Sequence, residues 1–246
     1  MKSKLPLFLF PGLSCTDRLF AMQKEGLSDL MDVIVPDWLK PHSYHTLISY
    51  AKEWGEKIWK DYFAPEAPEE NRYEVTRGCY LGGMSFGGMI APIIGEVLES
   101  KGVKIRTCFC ISTVRYGDQF PRRLRYWRLL NISPDGCWLT IGAFCRMLIA
   151  FSGKRMSWAR HEVYQQVIDT PPRRNFHVIR MFCSWHGPQH EYDFPIMQIH
   201  GGRDSVLPVE CTNPDEVITK GGHCLPLTSG KRLNDLIAEQ YKKTCD

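Results

Sequence analysis

No run in this sequence approaches the roughly 18 consecutive apolar residues that a membrane-spanning helix needs, so no transmembrane segment is expected. Strong charge of one sign is absent too. Lys and Arg number 31 against 27 Asp and Glu, and a net charge of +4 gives little reason to expect nucleic acid as a partner. Repeats and low-complexity tracts are lacking, which excludes a solenoid and a long disordered linker. The ten cysteines include no CxxC pair, and Cys79, Cys108 and Cys110 fall inside apolar runs where a thiol behaves as a small hydrophobe. A reduced, cytoplasmic protein is the expectation.

What is present suffices for a sizeable core: 246 residues, 43% of them hydrophobic, read as one domain carrying an insertion. The opening "MKSKLPLFLFPGLSC" imitates an export signal, with two lysines before an apolar stretch. That stretch is too short and Pro11-Gly12 breaks it, so a buried first strand is expected rather than export or lipid attachment at Cys15. Strand-like runs recur at Leu5 to Phe10, Asp32 to Trp38, Gly78 to Met84, Ile105 to Thr113, Ile196 to Gly201 and Asp215 to Gly221. Helical patterns such as Thr46 to Tyr62 and Phe86 to Ser100 separate most of them. Strands that are apolar nearly throughout, alternating with helices, predict a parallel sheet covered on both faces. The acidic, proline-rich "FAPEAPEENRYE", Phe63 to Glu74, reads as a surface loop. From Arg115 to Phe194 the rhythm stops, and about 80 residues rich in Trp, Phe, Arg and Met read as a helical cap (115–194) inserted into a core of 1–114 and 195–246.

One serine stands out. In "YLGGMSFGGMIAPIIGE", Ser85 sits among glycines where an apolar run meets a helical pattern. A serine hydroxyl is a poor nucleophile until a base takes its proton and donors stabilise the oxyanion. A sharp strand-to-helix turn lifts the hydroxyl off the sheet and aims the first N–H groups of the helix at the reacting centre. Such a turn crowds its neighbours, which accounts for Gly83 and Gly87 in "GMSFG". A serine that merely caps the helix N-terminus would also suit this position. Further on, "MQIHGGRDSVLP" delivers Asp204 beyond one strand and "EVITKGGHCLPL" delivers His223 beyond the next. Both fall on the rim of the sheet that carries Ser85.

With these three motifs in the order Ser, Asp, His, the sequence resembles the α/β-hydrolase superfamily over nearly its whole length. The resemblance implies an α/β fold with a mostly parallel sheet of about six strands, starting directly at the family's third strand. It also implies a serine hydrolase that cleaves a carboxylic ester or related small acyl substrate through an acyl-enzyme, with no metal or organic cofactor. Ser85 is then the nucleophile, His223 the general base and later acid, and Asp204 the group that orients the imidazole. The oxyanion donors fall on the N–H groups of Phe86 and Leu13. Ser14 is the alternative to Leu13, because "FPGLSC" has Pro-Gly where many relatives have His-Gly.

Other residues compete for these roles. His200, His42 and His45 are less well placed than His223 as base, and Asp118 and Asp193 do not directly end a core strand. In "HGPQHE", His186, His190 and Glu191 could ligate zinc only on a helix, which Gly187-Pro188 opposes. From Arg115 to Arg160 the cap carries nine Lys or Arg against two Asp. "FPRRLRYWRLL", with Arg122, Arg123, Arg125 and Arg128, reads as the solvated face of an amphipathic helix with Leu124 and Trp127 turned inward, or as a patch for an anionic partner. Two alternative functions follow: an acyl thioesterase whose basic cap holds carrier phosphates, and a non-catalytic ligand-binding receptor on the same fold. Of the cap aromatics Trp138, Phe144, Phe151, Trp158, Phe176, Phe182 and Trp185, most are expected to pack inward and some to roof a pocket above Ser85.

Overall fold

The computed structural model of the chain describes residues 4–121, 157–188 and 190–245, together with 140, 143, 144, 146 and 147. Six strands form one sheet in the order β2-β1-β3-β4-β5-β6. They are β1 Leu5–Phe10, β2 Met31–Ile34, β3 Cys79–Met84, β4 Ile105–Ile111, β5 Ile196–Gly201 and β6 Glu216–Ile218, and every adjacent pair is parallel. β2 is shorter than the run Asp32 to Trp38 predicts, ending before Pro36, which cannot donate to a ladder. β6 is cut short as well: the chain turns at once, with Gly221 N–H donating to Ile218 O at 2.8 Å.

β1 and β3 are buried at every position. Successive side chains of β1 feed opposite layers, Leu5, Leu7 and Leu9 on one face and Phe8 and Phe10 on the other. The Phe face is covered by α2 (Leu47–Ile58) and α3 (Phe86–Ser100). Helix α2 starts at a reciprocal cap, with Thr46 Oγ1 accepting from Ser49 N and Ser49 Oγ accepting from Thr46 N. It buries Leu47, Tyr50, Ala51, Trp54 and Ile58 at helical spacing. The Leu face is covered chiefly by α6 (Gly230–Thr244), which buries Leu233, Leu236 and Ile237, with the short α1 (Ala21–Gly26) beside it.

Helix α3 contains Pro92, which has no N–H to offer the Gly88 carbonyl one turn earlier. The Cys110 thiol of β4 donates to that carbonyl instead, at 3.6 Å. Between β4 and β5 the described residues include α4 (Trp158–Asp169) and α5 (Pro172–Ser184). The basic stretch with Arg122, Arg123, Arg125 and Arg128, its inward residues Leu124 and Trp127, and the aromatics Trp138 and Phe151 lie outside the described residues.

The strand order sets the place for a site. From β1 the chain goes to β2 on one side, then crosses back to β3 on the other. The connections leaving β1 and β3 therefore diverge and open a crevice at the carboxyl ends of those two strands, where parallel sheets bind ligands.

Candidate active site

Ser85 stands at that crevice, between the end of β3 and the start of α3. Its backbone has φ 54° and ψ −119°, a region that L-residues rarely adopt and that costs on the order of 1–3 kcal/mol. The surroundings hold it there. Ser85 N–H donates to Ile111 O at 2.9 Å, and Ser85 O accepts from Thr113 Oγ1 at 2.7 Å. Close approach explains the flanking glycines: a Cβ on Gly83 would lie 2.3 Å from the Gly87 carbonyl carbon, and one on Gly87 would lie 1.9 Å from Phe10 O. Although Ser85 occupies the cap position of α3, its side chain makes no capping hydrogen bond. The hydroxyl is left for something else.

Asp204 and His223 come from the turns after β5 and β6. Because those strands are neighbours, their turns meet: His223 Nδ1 lies 2.8 Å from Asp204 Oδ2. The other carboxylate oxygen, Oδ1, accepts from the N–H groups of Val206 and Leu207 at 2.8 and 2.9 Å. His200, fully buried at the end of β5, donates from Nε2 to Leu207 O at 2.8 Å and lies 3.4 Å from Asp204 Oδ2. Burial alone would push the Asp204 carboxyl up. The hydrogen bonds from His200 and His223, the His223 charge and the Leu207 N–H outweigh it and hold Asp204 well below the ordinary carboxylate range. Asp204 is thus a carboxylate that accepts from Nδ1, which fixes the imidazole so that Nε2 is free to receive a proton.

A cavity of about 270 Å³ joins these parts. Ser85, Phe86 and Leu13 line it, as do His223 and the thiol-bearing Cys15 and Cys224. Its remaining described wall is almost wholly apolar, with Val163 and Val167 from α4, Val178, Ile179 and Phe182 from α5, and Met84, Val206 and Leu207 from the core. Ser85 and His223 share this cavity, and among the described residues no hydrogen bond yet links the hydroxyl to the ring. The turn after β1 closes with Cys15 N–H donating to Gly12 O at 3.1 Å, and Ser14 has φ 60°. This leaves the N–H groups of Leu13 and Ser14 without a backbone acceptor among the described residues, and of the two only Leu13 lines the cavity. The Phe86 N–H, first in α3, is one of the donors a helix start leaves unpaired.

A parallel six-stranded sheet, helices on both faces and a strained serine at the strand-to-helix turn after β3 together decide the architecture. The chain has the α/β-hydrolase fold. Solved structures of that fold match it nearly end to end. A thermophilic esterase from Thermogutta terrifontis is 16% identical, with a TM-score of 0.69 over 98% of this chain and 91% of that one. A hydrolase from Pseudomonas aeruginosa is 13% identical, with a TM-score of 0.70 over 98% and 91%. MenH from S. aureus is 14% identical, with a TM-score of 0.69 over 100% and 96%. Neither a family model nor a curated protein sequence matches the chain.

Within this α/β-hydrolase fold the competing residues have other partners. His45 Nε2 pairs with Glu53 at 2.9 Å and its Nδ1 accepts from the His42 N–H, so it is tied to the start of α2. His190 pairs with Glu96, and Trp185 to Pro188 are in no helix. Asp118 lies in the 3-10 turn Gly117–Gln119, away from the imidazole that Asp204 holds. Among the described residues no three His, Cys, Asp or Glu side chains group as metal ligands, and no helix is long and apolar enough to cross a membrane. The cap aromatics divide as follows among the described residues. Of the aromatics singled out, Phe182 lines the cavity, Trp185 packs edge-on against Phe120, and Phe144 and Trp158 are more than half exposed. The valines and Ile179 that form most of the roof carry no signal in sequence beyond ordinary helix periodicity.

Proposed function

We propose that this protein is a serine hydrolase that cleaves a carboxylic ester, or a related acyl compound, through an acyl-enzyme formed on Ser85. The observation that carries the reading is the 2.8 Å bond between His223 Nδ1 and Asp204, opening on the same cavity as a serine held at φ 54°. In the reaction, His223 Nε2 takes the Ser85 proton while Oγ attacks the acyl carbon. The Phe86 and Leu13 N–H groups donate to the oxyanion, and His223 returns the proton to the leaving alcohol. Water deprotonated by His223 then releases the acid and restores Ser85. The Ser85 hydroxyl and Nε2 close to hydrogen-bond distance when substrate fills the cavity, as is common for catalytic contacts that are long in the free enzyme.

Helices α4 and α5 act as the cap, supplying an apolar wall for the acyl chain or the alcohol. The printed activities of the matching structures, an esterase and a hydrolase among them, support hydrolysis as the reaction class. Strain at Ser85 marks a functional position, and its place beside the His223–Asp204 pair favours an enzyme over a receptor. The thioesterase alternative rests chiefly on basic residues outside the described ones, Arg122, Arg123, Arg125, Arg128, Lys154 and Arg155. Free thiols buried in β3 and β4, at Cys79, Cys108 and Cys110, support a reducing, cytoplasmic location.

Intact-protein mass after reaction with an organophosphonate serine probe tests the reading, on wild type and on Ser85→Ala. One adduct that needs Ser85, with turnover of p-nitrophenyl esters, is expected. Folded wild type with neither adduct nor turnover would overturn the enzyme and leave the receptor.

A further inference from the structure

The turn that carries Leu13 does not stand alone. Its near side is fixed by the core: a Cβ on Gly12 would lie 2.8 Å from Met84 Cε and 3.3 Å from Ser85 Cβ, so this turn is pressed against the serine. Its far side, the peptide between Cys15 and Thr16, is held by the helices between β4 and β5. Thr16 N–H donates to Gln166 Oε1 of α4 at 2.8 Å. The Cys15 carbonyl accepts from Arg174 Nη2 of α5 at 3.3 Å and from Trp38 Nε1 at 2.9 Å. Arg174 also lies 4.8 Å over the Trp38 ring, and that ring stacks on Phe86 at 6.0 Å and 16°. Two residues further, Arg18 pairs with Glu162 at 3.1 Å and Asp169 at 2.5 Å, both on α4.

These contacts are specific. Gln166 is fully buried, donates from Nε2 to Glu162 at 3.1 Å, and so has its oxygen set toward Thr16. Arg174 makes no ion pair among the described residues; its Nη2 is spent on the Cys15 carbonyl and on Thr170 Oγ1 at 2.7 Å. A partly buried guanidinium that serves a backbone carbonyl rather than a carboxylate is placed there for what it positions.

We infer that Gln166 and Arg174 are positioning residues for the oxyanion-binding turn: they tie the Cys15–Thr16 peptide to α4 and α5, and so make the aim of the Leu13 N–H depend on where those helices sit. This rests on the serine-hydrolase reading. Both oxyanion donors are engaged, because Arg174 reaches Leu13 through Cys15 and touches Phe86 through Trp38. Without the two ties, the turn keeps its internal Cys15-to-Gly12 bond, the Trp38 bond to Cys15, its attachment to β1, the Leu19 N–H bond to Thr16 O and the Arg18 pairs with α4, none of which holds the Thr16 N–H or brings α5 to the Cys15 carbonyl. Displacing a catalytic donor by about 1 Å costs roughly a hundredfold in rate. The helices that wall the cavity therefore also tune the chemistry at its floor.

The test uses Gln166→Leu and Arg174→Met, with Arg174→Lys as the conservative partner that keeps a cation; Gln166→Glu is avoided because it would set a buried carboxylate against Glu162. Steady-state kinetics on a p-nitrophenyl ester are read beside the inhibition constant of an alkylboronic acid, whose Ser85 adduct puts an oxyanion in the hole. The expected result is kcat lowered about tenfold to a hundredfold with KM within about threefold, weaker boronate inhibition by a similar factor, and partial recovery in Arg174→Lys. Folded variants that change KM alone, with boronate inhibition tracking KM, would overturn the inference and leave the two residues as wall supports. So would an Arg174→Lys variant as defective as Arg174→Met at equal thermal stability. Wild type that neither turns over nor forms a phosphonate adduct would instead overturn the hydrolase reading itself.

Discussion

Replacing Asp204 by Asn changes one oxygen into an NH2 group, and the structure says where that group must go. Oδ1 accepts from two backbone N–H groups, Val206 at 2.8 Å and Leu207 at 2.9 Å, and an amide nitrogen there would break both bonds. The amide oxygen therefore keeps that place, and the NH2 faces His223 Nδ1 and His200 Nε2, 2.8 and 3.4 Å from the atom it replaces. His200 Nε2 is already a donor, to Leu207 O. The conflict is relieved only if His223 turns to the tautomer with Nδ1 bare and Nε2 protonated, which cannot take a proton from Ser85. By analogy with the serine-protease triad, kcat should fall by about four orders of magnitude, roughly 5.5 kcal/mol of transition-state stabilisation. Hydrolysis of p-nitrophenyl esters gives kcat, and the rate of phosphonate adduct formation reports on Ser85 without substrate binding. Both should fall together in a protein that still folds. A variant within tenfold of wild type on both would refute the assignment of Asp204 as the group that orients the imidazole.

Acid should act on the same carboxylate. Its folded-state value lies below the ordinary carboxylate value of about 3.9, so its contribution to stability is complete above that pH and is lost as pH falls below it. The urea-midpoint difference between wild type and Asp204→Asn should then shift against wild type below about pH 4, and a difference that stays constant from pH 6 to pH 3 would contradict the bonding described. Gly87→Ala forces a methyl group to within 1.9 Å of Phe10 O, a backbone atom that cannot rotate away. A loss of about 2–3 kcal/mol or more in urea unfolding is expected, and a change under about 0.5 kcal/mol would mean that the elbow is looser than described. The cavity of about 270 Å³ is small for a long acyl chain, and its described wall is almost wholly apolar. Turnover of p-nitrophenyl esters should peak at short or medium acyl chains, and a maximum at palmitate would show that the chain lies elsewhere.

The core was legible because its signals are local. β1, β5 and α3 have the bounds that their apolar runs and glycines predict, and Ser85, Asp204 and His223 could be singled out because each lies at or within a short turn of a strand end. The pairing of Asp204 with His223 needed only that consecutive strands lie side by side. β2 and β6 came out shorter because Pro36 and the turn after Ile218 end their pairing early, and an apolar run does not report where hydrogen bonding stops. In the region between β4 and β5, expected to be helical, the described residues form α4 and α5 with irregular stretches beside them, and which helix face turns inward was not legible. Trp158 is 59% exposed while Val163 and Val167 line the cavity, a choice made by the position of α4 against the core. Gln166 and Arg174 were invisible for a further reason. Their partners at Thr16 and Cys15 are 150 and 159 residues away and are backbone groups, which leave no trace in side-chain pattern.

The order of the strands along the chain also bears on how the protein is made. Ser85 is carried by a central strand, whereas Asp204 and His223 hang from the last two strands at one edge of the sheet. At about 5–20 residues per second, a ribosome reaches Asp204 some 6–24 seconds after Ser85. On the proposed mechanism, the growing chain during that interval holds a serine with no acid or base to arm it. A product cut short before β6 would then carry the elbow without His223 and remain chemically silent.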